Sequence, residues 1–438
     1  MKTRFKLTDA INIVTMGCSK NLVDSEYLMR QLDASGLRIV HNAGISEART
    51  VIINTCGFIN DAKQESIDSI LQHLKAKEQG LIDKVYVMGC LSERYKKELP
   101  EEIPEVDKYF GVNDLSDVVK TIGADYKKEL AGERILTTPR HYAYLKISEG
   151  CDRTCSFCAI PMIRGKHKSR SVEELISEAE ILGKQGVKEL ILIAQDLTYY
   201  GVDLYRKQLL PDLLKRLSDL PYFTWIRLHY AYPSAFPKDV VTVMKERKNI
   251  CRYLDIPLQH ISDTVLRNMK RSHNKRQTTD LIGFIRSEVP DITLRTTLLV
   301  GHPGEGEKEF LELVDFVREF RFERLGAFMY SEEENTFAAR NFKDSIPLKI
   351  KKQREEQIML QQQEISRDIN EAKTGKTIDV IIDKCDEHHS IGRTQGDSPE
   401  VDNEVIIKQS NLPIIPGNFY KIKITSADDY DLFGEVIS

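Results

Sequence analysis

The sequence predicts an α/β protein in three parts, and two patterns carry that prediction. Through roughly the first 125 residues, and again from about Tyr142 to Phe342, short apolar runs alternate with longer polar, helix-compatible stretches, as parallel strands joined by helices do. From Lys373 onward short alternating runs are separated by Gly, Pro, Asn and Asp, which predicts a small antiparallel β-barrel of OB type. The expected parts are an N-terminal doubly wound parallel α/β domain over 8–125, a partial (β/α)6 TIM-like barrel over 137–370 and the small barrel over 373–438.

In the first part, Ile11 to Met16, Val51 to Asn54 and Val85 to Met88 are continuous apolar runs, the signature of strands buried on both faces. Helix-compatible stretches follow, such as Leu22 to Ser35 and Asp61 to Gln79. Each run ends in a cysteine: Cys18, Cys56 and Cys90. Ligands of open parallel sheets bind outside the carboxyl ends of the strands. Three strands can therefore deliver three thiols to one edge.

The second part offers six strand candidates: Tyr144–Ser148, Glu189–Ala194, Thr224–His229, Tyr253–Leu258, Ile292–Val300 and Arg324–Tyr330. Amphipathic stretches such as Val172 to Gln185 and Glu307 to Phe320 separate them. Six such units fall short of the eight that close a TIM barrel. A Gln-rich, charged stretch without Gly or Pro, Leu348 to Ala372, predicts one long helix leading to the small barrel.

Net charge is −4 and 41% of residues are hydrophobic, so no global electrostatic footprint points to nucleic acid. No apolar run approaches the ~18 residues of a membrane span, and Met1 to Phe5 leads into a strand-like run without a signal-peptide pattern. The expectation is a soluble, cytoplasmic protein. Its eight cysteines then suggest metal binding or catalysis rather than a disulfide framework.

The most specific motif is Cys151, Cys155 and Cys158, on one loop just after the first barrel strand and Gly150. An iron–sulfur cubane normally takes four thiolates. Three leave one iron open for a cofactor or substrate. The alternative is a structural zinc site, which needs a closed tetrahedron; the nearest fourth ligand, His167, lies nine residues on, past Pro161 and Gly165. For Cys18, Cys56 and Cys90 the alternative is plain packing, since free cysteine is often buried. Their common placement beside Gly17, Gly57 and Gly89 favours a second three-cysteine cluster.

The stretch ISEGCDRTCSFCAIPMIRGKHKSR resembles the radical S-adenosylmethionine superfamily, including the aromatic Phe157 before the third cysteine. The three-part layout resembles the methylthiotransferases within it, and the last part looks like a TRAM domain with Gly392-Arg393-Thr394 in its usual place. One branch of that family modifies an adenosine in transfer RNA; the other modifies an aspartate of the twelfth small-subunit ribosomal protein. The run Gly17-Cys18-Ser19-Lys20-Asn21-Leu22-Val23-Asp24-Ser25-Glu26 and the run Tyr330-Ser331-Glu332-Glu333-Glu334-Asn335-Thr336 are similar to the protein-modifying branch. Ser19 and Asn335 depart from its usual proline and glycine.

The resemblance implies two 4Fe-4S clusters, S-adenosylmethionine, a sulfur donor and an electron donor. It implies insertion of a methylthio group at the β-carbon of that aspartate. It also places cofactor contacts at the second strand's end, hence Gln195 and Asp196. Gln259 and His260 after the fourth strand, and Gly301 to Glu305 after the fifth, are further candidates, with turn formation or capping as the alternative. Arg227 and Arg295 are expected to hold a carboxylate of cofactor or substrate. Cys251 and Cys385 are expected to pack, and His388-His389 to form a turn. From Lys373 on, seven Lys and Arg face twelve Asp and Glu, a balance of −5. That predicts an acidic docking face for a basic ribosomal protein rather than an RNA grip. Two rivals stand beside this reading: the transfer-RNA-modifying branch and a non-catalytic two-cluster electron-transfer module.

Overall fold

The computed structural model describes residues 10–130, 132–408 and 413–437; the expected domain limits at 8 and 438 fall outside them. Two compact units divide the chain. One holds residues up to 137 with 149–152 and 159–168; the other holds 138–148, 153–158 and everything from 169.

In the first unit, five parallel strands pair in the order Ile39–His41, Ile11–Thr15, Thr50–Thr55, Lys84–Gly89, Lys108–Tyr109. The three expected strands are its centre. The two edge strands, three and two residues long, carry no apolar run that would have announced them. Period-two alternation sends Ile11, Ile13, Ile52, Tyr86 and Met88 to one face, against Leu28 and Leu32 of the helix Ser19–Asp33. Val51, Ile53, Val85 and Val87 go to the other, against Ile70 and Leu74 of the helix Asn60–Glu78. Chain order reverses between Ile11–Thr15 and Thr50–Thr55, so this is the switch point where a doubly wound sheet opens a crevice. Cys18 and Cys56 follow these two strands, and Cys90 follows the next.

The second unit contains six parallel strands in chain order: Tyr142–Lys146, Glu189–Ile193, Trp225–Leu228, Ile250–Asp255, Thr293–Val300 and Arg324–Met329. This is the expected partial barrel, with its fourth strand ending at Asp255, ahead of Gln259 and His260. The helix Leu348–Glu371 packs along the last strand, where Lys351 donates to the Tyr330 carbonyl (3.0 Å) and Gln362 to that of Phe322 (2.9 Å).

Five strands then close the small barrel: Thr377–Cys385, His389–Thr394, Val405–Lys408, Leu432–Val436 and Phe419–Ala427, in that spatial order. Four pairings are antiparallel as expected. Val405–Lys408 and Leu432–Val436 run parallel, because the fifth strand in sequence inserts between the third and fourth.

Several acids of the small barrel pair within the second unit, while others, such as Asp386 and Glu387, stay exposed. Asp383 accepts from Arg393 (2.7 and 2.9 Å) and contacts His141 (2.7 Å). Asp397 accepts from Arg324 (3.1 Å). Asp402 accepts from Arg295 (3.2 Å) and Tyr253 (2.8 Å), and Glu400 from Tyr142 (3.2 Å). Arg393 in turn reaches Glu189 (2.8 Å), and the Trp225 ring packs edge-on against Phe419 at 4.8 Å. Glu189, Trp225, Arg295 and Arg324 lie in the starting halves of the barrel strands, and Arg227 is the third of four residues in its own. The small barrel therefore packs toward the end opposite the strands' carboxyl ends, with Asp383, Asp397 and Asp402 in the seam and exposed Glu400 at its rim.

Candidate functional site

The N-terminal cysteines are brought together beside glycines where an added Cβ would force a neighbour to shift. A Cβ on Gly17, at φ +84°, would stand 2.6 Å from the Cys56 Cβ and 2.9 Å from its Sγ. One on Gly57 would stand 2.6 Å from the Leu91 Cα, beside Cys90, and one on Gly89 (φ +99°) 2.4 Å from Asn54. Removing the side chain at these places lets the three cysteine loops close on one another.

Asn21 ties the loops. Its Nδ2 donates to the carbonyls of Met16 and Thr55, both at 2.9 Å, and its own carbonyl accepts from Asn54 (2.9 Å). Its Oδ1 accepts from Arg164 (2.5 Å) and lies 3.6 Å from the Cys90 sulfur. The thiols differ sharply in acidity. Cys18 is solvent-exposed and begins the helix Ser19–Asp33. Crowding by the chain raises its thiol, but Lys20, Arg164 and the backbone N–H groups of Asn21 and Lys20 outweigh this and lower it. Burial raises Cys56 and pushes Cys90 up to about 12, against the pull of Arg164. Buried thiols of this kind become thiolates when a metal displaces the proton.

The second cysteine set lies on a loop whose backbone is fixed at several points. Gly150 has φ +70°, and a Cβ there would stand 2.2 Å from the Lys166 carbonyl; Cys151 N–H donates to Gly165 (3.1 Å). Further on, Cys158 N–H donates to Cys155 (3.2 Å), and Ser156 is held by Met269 (2.9 Å), His302 (3.2 Å) and Ala338 (2.7 Å). Burial pushes His302 down to about 4, so it meets Ser156 as neutral imidazole. Arg271 donates to the Cys155 sulfur at 3.4 Å. Tyr232 takes the guanidinium groups of Arg153 and Arg271 at 4.1 and 4.2 Å from its ring centre. Among the described residues, no three His, Cys, Asp or Glu side chains stand as ligands of a single metal ion.

The expected cofactor contacts divide into two groups. Gln195, half-buried, follows the strand Glu189–Ile193, and Gln259 adopts φ +72° while bridging to Leu298, an unusual backbone for a non-glycine residue. Asp196 is taken by its own chain: it accepts from Thr198 (2.9 and 2.6 Å) and from Arg153 (2.8 Å). Arg227 and Arg295 require correction. Arg227 is wholly buried, donating to Glu189 (2.7 Å) and the Gln395 carbonyl (2.8 Å), and Arg295 pairs with Asp402. Both belong to the seam with the small barrel. Glu305 is likewise structural, accepting from Gly301 N–H (2.7 Å) and Arg354 (2.8 Å), with His260 at 3.4 Å. Cys251 is buried as expected, whereas Cys385 is exposed. Asn21, Arg153, Arg164, Tyr232 and Arg271 were not singled out in the sequence. The only signal for them is nearness to a cysteine, at three residues for Asn21, two for Arg153 and six for Arg164; Tyr232 and Arg271 have none.

Together, a six-stranded partial barrel and a three-cysteine loop after its first strand define a radical S-adenosylmethionine enzyme. Residues 145–317 match the Radical SAM superfamily, 374–437 the TRAM domain and 10–111 the Uncharacterized protein family UPF0004. The chain belongs to the family of the ribosomal protein uS12 methylthiotransferase RimO. It is 55% identical to the protein of that name from Phocaeicola vulgatus over 98% of this chain and 99% of that one. It is 54% identical to the one from Cytophaga hutchinsonii over the full length of both. Among solved structures it shares its fold with the radical S-adenosylmethionine methyltransferase TsrM from Kitasatospora setae (TM-score 0.55, 15% identity, 76% of this chain and 77% of that one). It also shares the fold of OxsB, a cobalamin-dependent S-adenosylmethionine radical enzyme (TM-score 0.52, 12% identity, 81% and 56%).

Proposed function

We propose that this chain inserts a methylthio group at the β-carbon of an aspartate in ribosomal protein uS12, with two 4Fe-4S clusters and two molecules of S-adenosylmethionine per turnover. The observation that carries this is identity of 51–55% to RimO proteins over nearly the whole chain. The glycine-cradled cysteine sets support it. Cys151, Cys155 and Cys158 would hold one cluster, and Cys18, Cys56 and Cys90 the other.

When bound, these groups supply one-electron cleavage of a sulfonium to give a hydrogen-abstracting radical, and an iron on which sulfur is presented. The residues around them position and shield. Ser156, held by Met269, His302 and Ala338, fixes the middle of the radical loop. Arg271 donates to the Cys155 sulfur, and Asp196 acts through Arg153, which stacks on Tyr232. Gln195 and Gln259 are the side chains proposed to meet the cofactor. A sulfur donor and an electron donor complete the reaction, and a ribosomal substrate puts it in the cytoplasm. In the described residues no helix is long and apolar enough to cross a membrane.

The test is mass spectrometry of uS12 from cells with and without the gene. A methylthio increment on one aspartate, lost on deletion, is the expected outcome. An unchanged uS12 together with a lost methylthio-adenosine in transfer RNA would overturn the reading in favour of the RNA-modifying branch.

A further inference from the structure

The buried guanidinium of Arg164 is used by none of the steps above. Arg164 is 4% exposed and lies six residues beyond Cys158, just after the short helix Ile160–Ile163. That segment packs on Cys90: Ala159 and Ile163 form one apolar cluster with it. Two carboxylates fix the guanidinium, Glu149 at 2.9 Å and Asp24 at 3.2 Å from Nη1, with Asp24 also 3.2 Å from Nη2. Nη2 also donates to Asn21 Oδ1 at 2.5 Å, and that oxygen lies 3.6 Å from the Cys90 sulfur. Burying an arginine is costly, and such a group is retained where its hydrogen bonds are all used. Here the fork is held on one side by acids and faces a metal-ligand candidate on the other. Groups in this position orient ligands and tune the metal, and hydrogen bonds to cluster sulfurs help set the reduction potential.

We infer that Arg164 is a positioning residue of the N-terminal metal site, holding Asn21 and the Cys90 sulfur in place and favouring the reduced state of a cluster bound by Cys18, Cys56 and Cys90. This rests on the two-cluster reading. The direction follows from charge: the reduced cluster carries one more negative charge, which a nearby cation and its hydrogen bonds stabilise.

The experiment uses the full-length chain with Cys151, Cys155 and Cys158 changed to Ala, so that any cluster signal comes from the N-terminal site. It is reconstituted anaerobically with iron and sulfide, and its iron content, EPR spectrum and midpoint potential are measured. About four irons are expected. Adding Arg164→Gln should keep the iron and lower the reduced-to-oxidised ratio at fixed potential about tenfold, a shift of about 59 mV for a one-electron couple. Arg164→Lys, which keeps the charge, should shift the ratio less. A Gln variant within twofold of its parent overturns the inference. If the Gln variant holds no iron, circular dichroism and the Lys variant decide. Iron lost from a folded chain and restored by Lys supports the inference. Loss of iron with the fold, or a folded Lys variant equally without iron, overturns it. A parent without iron overturns the two-cluster reading instead.

Discussion

Asp397 is a place where one atom exchanged should loosen the small barrel without touching either cysteine set. Its side chain is buried, as is that of Arg324, which it faces through Arg324 Nε at 3.1 Å and Nη2. Thr394 donates to its other oxygen. Burial pushes the carboxyl up, but Arg324 first, then Lys373 and Thr394, more than offset this and hold it below its ordinary value. In Asp397→Asn the shape persists and the charge goes, leaving Arg324 buried against a neutral amide. Removing one partner of a buried ion pair costs about 3–5 kcal/mol. At about 1.4 kcal/mol per tenfold, the open population should rise by between two and four powers of ten. Hydrogen exchange of Thr377–Cys385 and Phe419–Ala427 reads this locally, where global unfolding of a multidomain chain would not be two-state. Asp386→Asn is the control, because Asp386 is exposed and accepts only from the local N–H groups of His388 and His389. Parent-like exchange in Asp397→Asn, or an equal effect in Asp386→Asn, would refute the seam as an energetic unit.

Acid should loosen the same seam: Glu189, Asp383 and Asp397 are each raised by burial but lowered overall by Arg393, Arg227, His141 and Arg324. Depressed folded values mean their stabilisation is full above the ordinary carboxyl range near about 4 and is lost as pH falls through the folded values; barrel exchange should therefore rise below about pH 4 and stay flat from 5 to 8. Changing Cys18, Cys56 and Cys90 together to Ala should leave reductive cleavage of S-adenosylmethionine intact and abolish methylthio product; unchanged product would make those cysteines structural. Gly17→Ala should strip iron from the N-terminal site alone, since its Cβ would stand 2.9 Å from the Cys56 sulfur at φ +84°, and iron analysis with the radical-loop cysteines removed checks it. In apo protein near pH 8, iodoacetamide should label exposed Cys18 well before Cys90, whose thiol is pushed up to about 12; the reverse order would contradict the electrostatics of the crevice.

Much of this architecture was legible because its signals are local. Apolar runs such as Val85 to Met88 announce strands buried on both faces, and a cysteine after each announces the binding edge. The edge strands Ile39–His41 and Lys108–Tyr109 escaped because an edge strand needs only a few half-buried residues. The parallel pairing within the small barrel escaped because strand partners separated by an intervening strand leave no mark on either one. Gly17, Gly57 and Gly89 were visible as neighbours of cysteines, yet what each would strike, such as the Cys56 sulfur or the Leu91 backbone, exists only once the strands are paired.

The arginines mark the limit. Arg227 and Arg295 each occupy the third position of their strands, and their charge suggested a carboxylate to be bound. That chemistry is right and the source is different: the carboxylates are Glu189 on the neighbouring strand and Asp402 on a barrel more than a hundred residues downstream. The same pairing takes up part of the small barrel's −5 balance, as Asp397 with Arg324 and Asp402 with Arg295 show. Complementary excesses in two parts of one chain can cancel internally, and composition cannot tell an internal partner from an external one. Position along the strand can. In a parallel barrel, ligand chemistry belongs to the carboxyl ends, so a charged residue near the start of a strand faces the closed end and calls for a partner from the chain itself. By that criterion Arg295 and Arg324 sort to the seam, whereas Gln195, Asp196 and Gln259, beyond their strands' ends, sort to the side of the chemistry; Arg227, third of four residues, is placed in the seam only by its partners Glu189 and Gln395.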